Sequence, residues 1–127
     1  MWSFIHKMGS PPWLYSISGI LLRWLLPMTV VMLVVGACWG LLFAPPDFRQ
    51  GNSYRIIYVH VPAAVVALAG YYVMACAGAV SLIWRIKMAD IAMRAVAPVG
   101  AILTIIALVT GAIWGKPTWG AWWIWDA

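Results

Sequence analysis

The stretch IIYVHVPAAVVALAGYYVMACAGAVSLIW, residues 56–84, is the longest uncharged run in the chain. It contains 29 residues and no Lys, Arg, Asp or Glu. Because a helix of about 20 apolar residues crosses the hydrocarbon core of a bilayer, the run predicts a transmembrane helix. Its extra length predicts that the helix tilts or that one end protrudes from the bilayer.

The composition of the whole chain also indicates a membrane protein. The sequence has 127 residues, of which 65% are hydrophobic and 9% are charged, and the mean hydropathy is +0.94. A chain of this length has room for three or four spans of about 20 residues and for no separate soluble domain. The net charge of +5 comes from basic residues that lie mainly between the apolar runs, where they act as topology signals. We therefore expect the lipid bilayer as a partner and no nucleic acid.

Three apolar runs in all predict the fold class, an all-α membrane protein with three transmembrane helices. Prolines, glycines and charged residues separate the runs. Pro27 and Pro98 lie inside them, which membrane helices tolerate. The whole chain, residues 1–127, is expected to form a single transmembrane domain. We place the spans at about residues 20–43, 56–84 and 95–114, followed by a Trp-rich segment at 114–127.

The distribution of Lys and Arg predicts the orientation. The N-terminal segment and the charged link at residues 85–94 carry more basic residues than the loop at 44–55 and the C-terminal tail. The side richer in Lys and Arg faces the cytoplasm, so the N-terminus is predicted to be cytoplasmic and the Trp-rich segment to lie on the outer side of the membrane. His60 lies about four residues inside the outer end of its span, roughly 6 Å deep at 1.5 Å per residue. The histidine and the tryptophans are therefore expected on one face of the membrane.

The Trp-rich segment is the second unusual feature of the sequence. Trp119, Trp122 and Trp123 are spaced so that they form one indole face if the segment is helical. The other interpretation is an aromatic belt at the lipid headgroups, for which one or two tryptophans suffice. Asp126 closes the segment with a carboxylate that could orient a partner or cap a turn. The candidate platform residues are Trp114, Trp119, Trp122, Trp123, Trp125 and Asp126.

Together these residues suit a large, flat ligand that carries a metal. The His60 imidazole is a ligand for haem iron, the indoles offer flat surfaces, and Arg55 and Lys116 are cations that pair with carboxylates. Haem, a planar macrocycle with an iron centre and two carboxylate arms, would use all three. The residues alone leave an alternative open. It is a structural or permease subunit in which the tryptophans only anchor span ends, His60 is a packing residue and the cations are solvated.

An enzyme is not predicted. The sequence shows no paired carboxylates, no nucleophile–base pair and no phosphate-binding loop, and Asp47 and Asp90 are predicted on opposite sides of the membrane. We therefore expect a binding function without catalysis.

Two motifs resemble a known protein family. GNSYRIIYVHVPAA at 51–64 and WGKPTWGAWWIWDA at 114–127 resemble the corresponding segments of the CcmC family, the haem exporter C proteins of cytochrome c maturation. PPWLYSISG at 11–19 and FAPPDFRQGNSYR at 43–55 extend the resemblance over the whole chain. The family belongs to a wider group of haem-handling membrane proteins marked by a tryptophan-rich WWD segment.

The resemblance implies that the chain handles haem at the outer face of the bacterial inner membrane. Haem b would be held there, with His60 as an axial ligand of the iron and Trp114–Asp126 as its platform. The resemblance also implies transfer of haem to the chaperone CcmE. Further partners would be the ABC-type components CcmA and CcmB and the small membrane protein CcmD.

The resemblance further predicts that this chain is an N-terminal fragment. Members of the family have six spans and a second axial histidine in a later loop, so the three spans are expected to be half of a six-span bundle. His6, the other histidine in the sequence, is predicted on the cytoplasmic side and does not replace that ligand. We therefore expect the isolated chain to bind haem without full two-histidine ligation.

Overall fold

A computed structural model of the chain describes residues 10–125. That part of the chain is helical, with one isolated β-bridge between Asp47 and Gly51. It contains three helices that are each long and apolar enough to cross a membrane, which confirms the predicted fold class. The helices are α1 (Pro11–Cys38), α2 (Ile57–Trp84, preceded by a 3₁₀ turn at Asn52–Ile56) and α3 (Lys87–Trp119).

Helix α1 contacts the rest of the protein mainly through its C-terminal end. None of the residues in α1 is buried, as expected of an apolar helix that lies in lipid. A π-helical turn, Trp39–Phe43, continues the helix. In that turn Gly40 is buried, and a Cβ at Gly40 would lie 2.6 Å from Cβ of Tyr58. The end of α1 thus packs closely against the start of α2.

The first loop, residues 44–51, folds around the side chain of Asp47. Its Oδ1 accepts the backbone N–H groups of Arg49 and Gln50, at 2.8 Å each. These bonds hold the pKa of the Asp47 carboxyl below its ordinary value, with the Gln50 N–H contributing most. Asp47 and Gly51 also exchange two backbone hydrogen bonds, and Gly51 has a φ of +58°, which residues with a side chain rarely adopt. The loop is therefore held by its own hydrogen bonds.

Helices α2 and α3 form an antiparallel hairpin. Only the link Arg85–Ile86 separates them. Small residues lie between the two helices: Ala63 and Ala67 are each 6% exposed, and a Cβ at Gly70 would lie 4.0 Å from Cα of Gly100. Small residues let helix backbones approach closely, which favours helix association in a bilayer. The hairpin brings the start of α2 and the end of α3 to the same end of the molecule.

Helices α1 and α3 extend beyond the apolar runs seen in the sequence, whereas α2 (Ile57–Trp84) matches its run. Helix α1 begins before the predicted span at 20–43, and α3 begins before and ends after the predicted span at 95–114. Residues 87–94, predicted as part of a charged link, form the first two turns of α3. Ala, Met, Lys and Arg are strong helix formers, and Asp90 lies in the first turn, where the helix dipole favours a carboxylate. Asp90 also accepts a hydrogen bond from Ser81 Oγ at 2.6 Å. The apolar runs in the sequence thus cover only part of α1 and of α3.

Candidate functional site

The ring of His60, in the first turn of α2, is held by α3. Its Nδ1 lies 3.0 Å from the carbonyl oxygen of Ala107 and 3.1 Å from Oγ1 of Thr110. A carbonyl oxygen can only accept, and the Thr110 hydroxyl donates its own hydrogen to the carbonyl of Ile106 at 2.6 Å. Both contacts therefore require a hydrogen on Nδ1. In the neutral imidazole the lone pair is then on Nε2.

The Nε2 atom of His60 is open to a ligand. Among residues 10–125 the structure gives Nε2 no hydrogen-bond partner. In the same part of the chain no fully buried side-chain nitrogen or oxygen lacks a partner, so Nε2 is not sealed inside the protein. A histidine whose Nδ1–H is held by a backbone carbonyl is oriented as metal-binding histidines are.

A pocket of about 310 Å³ lies beside His60 at this end of the hairpin. The ring of Trp114 forms one wall, with its centroid 5.8 Å from that of His60 and the two planes at 58°. Trp119 continues this wall, 6.3 Å from Trp114. Gly111 makes room for the imidazole, because a Cβ there would lie 2.9 Å from Cε1 of His60. The lining residues are His60, Gly111, Ala112, Trp114, Gly115, Trp119, Ala121, Trp122, Trp123 and Ile124.

The Trp-rich segment reaches the pocket through a turn. Helix α3 ends just before Gly120, whose φ of +80° redirects the chain, as glycine commonly does after a helix. The carbonyl oxygen of Ala121 lies 3.3 Å from where a Cβ of Gly115 would be, so the chain passes close to α3. Trp122 and Trp123 line the pocket from this non-helical stretch. The single helical indole face considered from the sequence is therefore absent here.

The end of the Trp-rich segment lies apart from the pocket lining. Trp125 is 90% exposed, and its ring contacts that of Trp123 at a centroid distance of 5.6 Å. Asp126 and His6 lie outside the described residues. Of the predicted platform residues, the structure thus gathers Trp114, Trp119, Trp122 and Trp123 around His60.

The two predicted cationic residues contact backbone carbonyls. Arg55 donates from Nε to the carbonyl of Ala44 at 2.9 Å and from Nη1 to that of Leu41 at 3.3 Å. Lys116 donates from Nζ to the carbonyl of Gly120 at 3.0 Å. Both cations thus lie at C-terminal helix ends, where the helix dipole favours positive charge. Neither lines the pocket, and their contact with a ligand carboxylate stays a prediction.

Sequence reasoning missed two residues that shape the pocket, Gln50 and Thr110. Trp114 donates from Nε1 to Oε1 of Gln50 at 2.9 Å, while Thr110 holds the His60 ring and Gly111 accommodates it. Thr110 and Gly111 precede Trp114 by four and three residues, so helical spacing placed them on the tryptophan's face. Gln50 gave no such signal, because a loop has no regular period.

A second pocket, also about 310 Å³, lies on the other side of His60. It runs between α2 and α3 toward the link and is almost entirely apolar. His60 therefore borders both pockets. The lining residues of the second pocket are His60, Ala64, Ala67, Leu68, Tyr71, Thr104, Ala107 and Leu108.

The first pocket offers a single imidazole as a metal ligand. Within residues 10–125 no group of three or more His, Cys, Asp or Glu side chains could hold a metal ion. A bare transition-metal ion takes several protein ligands, whereas a metal held in an organic ring needs only an axial one. The arrangement therefore suits a flat aromatic ligand that brings its own metal.

These features define a helical membrane protein with an aromatic pocket around one imidazole at the end of a helix hairpin. The family model described as CcmC, heme exporter protein C, matches residues 4–127. The chain belongs to this family, which confirms the resemblance seen in its motifs.

Several curated relatives are named heme exporter protein C. The chain is 54% identical to the Escherichia coli (strain K12) protein and 52% identical to that of Haemophilus influenzae, over all 127 residues and 52% of each relative. It is 42% identical to the Rhodobacter capsulatus protein over 122 residues, which cover 96% of the chain and 50% of the relative. The chain spans about half the length of the curated relatives it matches.

Proposed function

We propose that the protein binds haem as its cargo in the first pocket and presents it at the outer face of the membrane to a haem chaperone. One observation carries the proposal: His60 is held through Nδ1 by Ala107 and Thr110, and its ring lies 5.8 Å from that of Trp114 in a pocket lined by indoles. The name heme exporter protein C, which the relatives share, supports haem as the ligand. The role is binding and delivery, without catalysis.

The pocket residues fit haem b in their chemistry. Nε2 of His60 supplies an axial ligand for an iron that is already held in a ring. Trp114, Trp119 and their neighbours offer broad aromatic surfaces that pack favourably against a flat macrocycle. Arg55 and Lys116 would pair with the haem carboxylates by exchanging a backbone carbonyl for a carboxylate, which is the stronger hydrogen-bond partner.

The proposed setting is the bacterial inner membrane, with the N-terminus cytoplasmic and the pocket periplasmic. The excess of Lys and Arg in the N-terminal part of the chain (Lys7 and Arg23) and around the link (Arg85, Lys87 and Arg94) supports this orientation. We propose CcmE as the haem chaperone that receives haem, and CcmA, CcmB and CcmD as partners in the same complex. A second half of a six-span bundle would supply the second axial histidine.

The test is the Soret band of the purified complex. In His60→Gly we expect the band to be lost or shifted, and added imidazole to restore it by filling the vacated axial position. His6→Ala, which removes the other histidine, should keep the wild-type spectrum. A Soret band that His60→Gly leaves unchanged would refute the ligand role of His60.

The second candidate function is a structural or permease subunit with interfacial tryptophans. Trp125 favours it, because an indole that is 90% exposed suits an anchor at the headgroups. Replacement of Trp119, Trp122 and Trp123 together by Phe separates the two functions. Weaker haem binding supports the haem site, whereas unchanged haem binding and unchanged cytochrome c maturation support the anchor role.

A further inference from the structure

A hydrogen bond between two half-buried side chains ties the first loop to the end of α3. The Nε1–H group of Trp114 donates to Oε1 of Gln50 at 2.9 Å, and the two residues are 64 positions apart. The indole has one donor and no acceptor, so the bond uses the whole polar capacity of Trp114. It joins the segment before α2 to α3, the helix that carries half of the pocket lining.

The backbone of Gln50 is itself held in place. Its N–H donates to Oδ1 of Asp47 at 2.8 Å, and the paired backbone bonds between Asp47 and Gly51 flank it. At the other end of the loop, Arg55 donates to the carbonyl of Ala44 at 2.9 Å. The Gln50 carboxamide therefore projects from a loop whose backbone is fixed on both sides, which lowers the entropy lost in orienting a partner.

The orientation of Trp114 matters because its ring contacts the proposed metal ligand. The Trp114 ring lies 5.8 Å from His60 and 6.3 Å from Trp119 between centroids. A rotation of the indole would change the distance between the imidazole and the aromatic wall. The Trp114 indole can take two orientations that differ by a flip of the ring. The hydrogen bond to Gln50 selects the one in which Nε1 points to the Gln50 oxygen.

We infer that Gln50 is a positioning residue for Trp114, and that it sets the aromatic wall beside His60 before any ligand binds. Position 114 then requires an indole, because Phe has no donor for the Gln50 oxygen. The effect on a bound ligand rests on the proposed function, whereas the effect on the indole does not.

The direct test is ¹⁹F NMR of the full chain labelled with 5-fluorotryptophan. The resonance that disappears in Trp114→Phe belongs to Trp114. In Gln50→Ala that resonance should shift and broaden, and in Gln50→Glu, which keeps an oxygen at this position, it should stay sharp. Phe48→Ala is the control, since Phe48 is in the same loop and 100% exposed. A Trp114 resonance that Gln50→Ala leaves unmoved would overturn the inference.

A double-mutant cycle with haem as the probe gives the second test. Gln50→Ala should weaken haem binding about fivefold in the wild-type background, the change that one ordinary hydrogen bond supports. In the Trp114→Phe background the same substitution should change the affinity less than about twofold, because the partner is gone. Equal losses in both backgrounds would contradict the positioning role. If wild-type protein binds no haem, the proposed function fails, and the ¹⁹F result still decides the role of Gln50.

Discussion

The two halves of the pocket are held in different ways. In the helix half (His60, Thr110, Gly111 and Trp114), hydrogen bonds fix both rings, at 3.0 and 3.1 Å for His60 and 2.9 Å for Trp114. In the tail half (Ala121, Trp122, Trp123 and Ile124), the chain is positioned by the turn at Gly120 and by ring contacts such as that between Trp123 and Trp125.

The two halves of the pocket therefore differ in how far they are preorganised for a ligand. A ring fixed by hydrogen bonds on packed helices is in position before a ligand arrives, so little ordering entropy is lost on binding. A wall that depends on one glycine turn and on apolar contacts can adjust to a ligand. Under the proposed function, the helix half would determine where the haem iron is ligated, and the tail half would determine how long haem stays bound.

The largest effect is expected from Gly111→Ala in the helix half. The new Cβ would lie 2.9 Å from Cε1 of His60, so the imidazole must move. Haem affinity should fall about tenfold or more, within the roughly 1–3 kcal/mol typical of overpacking, and the Soret band should shift. Gly100→Ala is the matched control, because nothing lies within 4 Å of a Cβ at that position of the same helix. Optical titration of both variants checks the prediction, and equal affinities would contradict it.

The next largest effect is expected from Gly120→Ala in the tail half. An L-residue in the left-handed region, here φ +80°, is less stable by about 1–2 kcal/mol. Haem should leave the pocket about fivefold faster or more, with an unchanged Soret band because His60 does not move. Transfer of haem to apomyoglobin measures this rate, with Gly36→Ala in α1, which has nothing within 4 Å of a new Cβ, as control. A shifted Soret band in Gly120→Ala would show that the two halves are not separable.

A smaller effect is expected from Thr110→Val. The substitution keeps the side-chain shape and removes one of the two acceptors of His60 Nδ1, while the carbonyl of Ala107 remains. Loss of one hydrogen bond of about 0.5–1.5 kcal/mol should weaken haem binding about two- to tenfold. Thr104→Val is the control, because the Thr104 hydroxyl donates to the carbonyl of Gly100 in its own helix. If both variants bind haem equally well, the second acceptor has no part in holding the ring.

The smallest effect is expected from protonation of Asp47, which lies in the first loop and belongs to neither half. The pKa of this carboxyl is lowered from an ordinary 3.8, so its contribution is complete above that value and is lost as the pH falls through the lowered pKa. Hydrogen exchange of the amides in the first loop, corrected for intrinsic rates, should show protection that falls only in this acid range. In Asp47→Ala the protection should be low at every pH. Protection in wild-type protein that does not depend on pH would contradict the prediction.

The sequence predicted the three helices because a bilayer permits few backbone conformations. Backbone groups in lipid must be satisfied within the segment, so each apolar run became a helix, and the short link forced α2 and α3 into a hairpin. That hairpin is why His60 and Trp114, 54 residues apart by their numbers, meet at one end. The meeting of an imidazole and an indole thus followed from topology alone.

The details of the site depend on contacts that no periodic pattern encodes. The bond between Gln50 and Trp114 depends on the conformation of the first loop, in which Asp47 accepts the Gln50 N–H. The charges of Arg55 and Lys116 suggested a ligand, yet both side chains donate to backbone carbonyls near helix ends. The turn at Gly120 is a feature that a sequence pattern can indicate, since glycine after a helix favours the left-handed conformation.

The position of His60 between two pockets of similar size has a thermodynamic consequence. A molecule in the apolar pocket toward the link would contact the same imidazole that a molecule in the first pocket would use. Any effect of that molecule on the affinity of the first pocket is matched by an equal effect in the other direction. Acyl chains and detergents that enter between α2 and α3 would then act as effectors of the first pocket, so the solubilising medium is a variable to control when its affinity is measured.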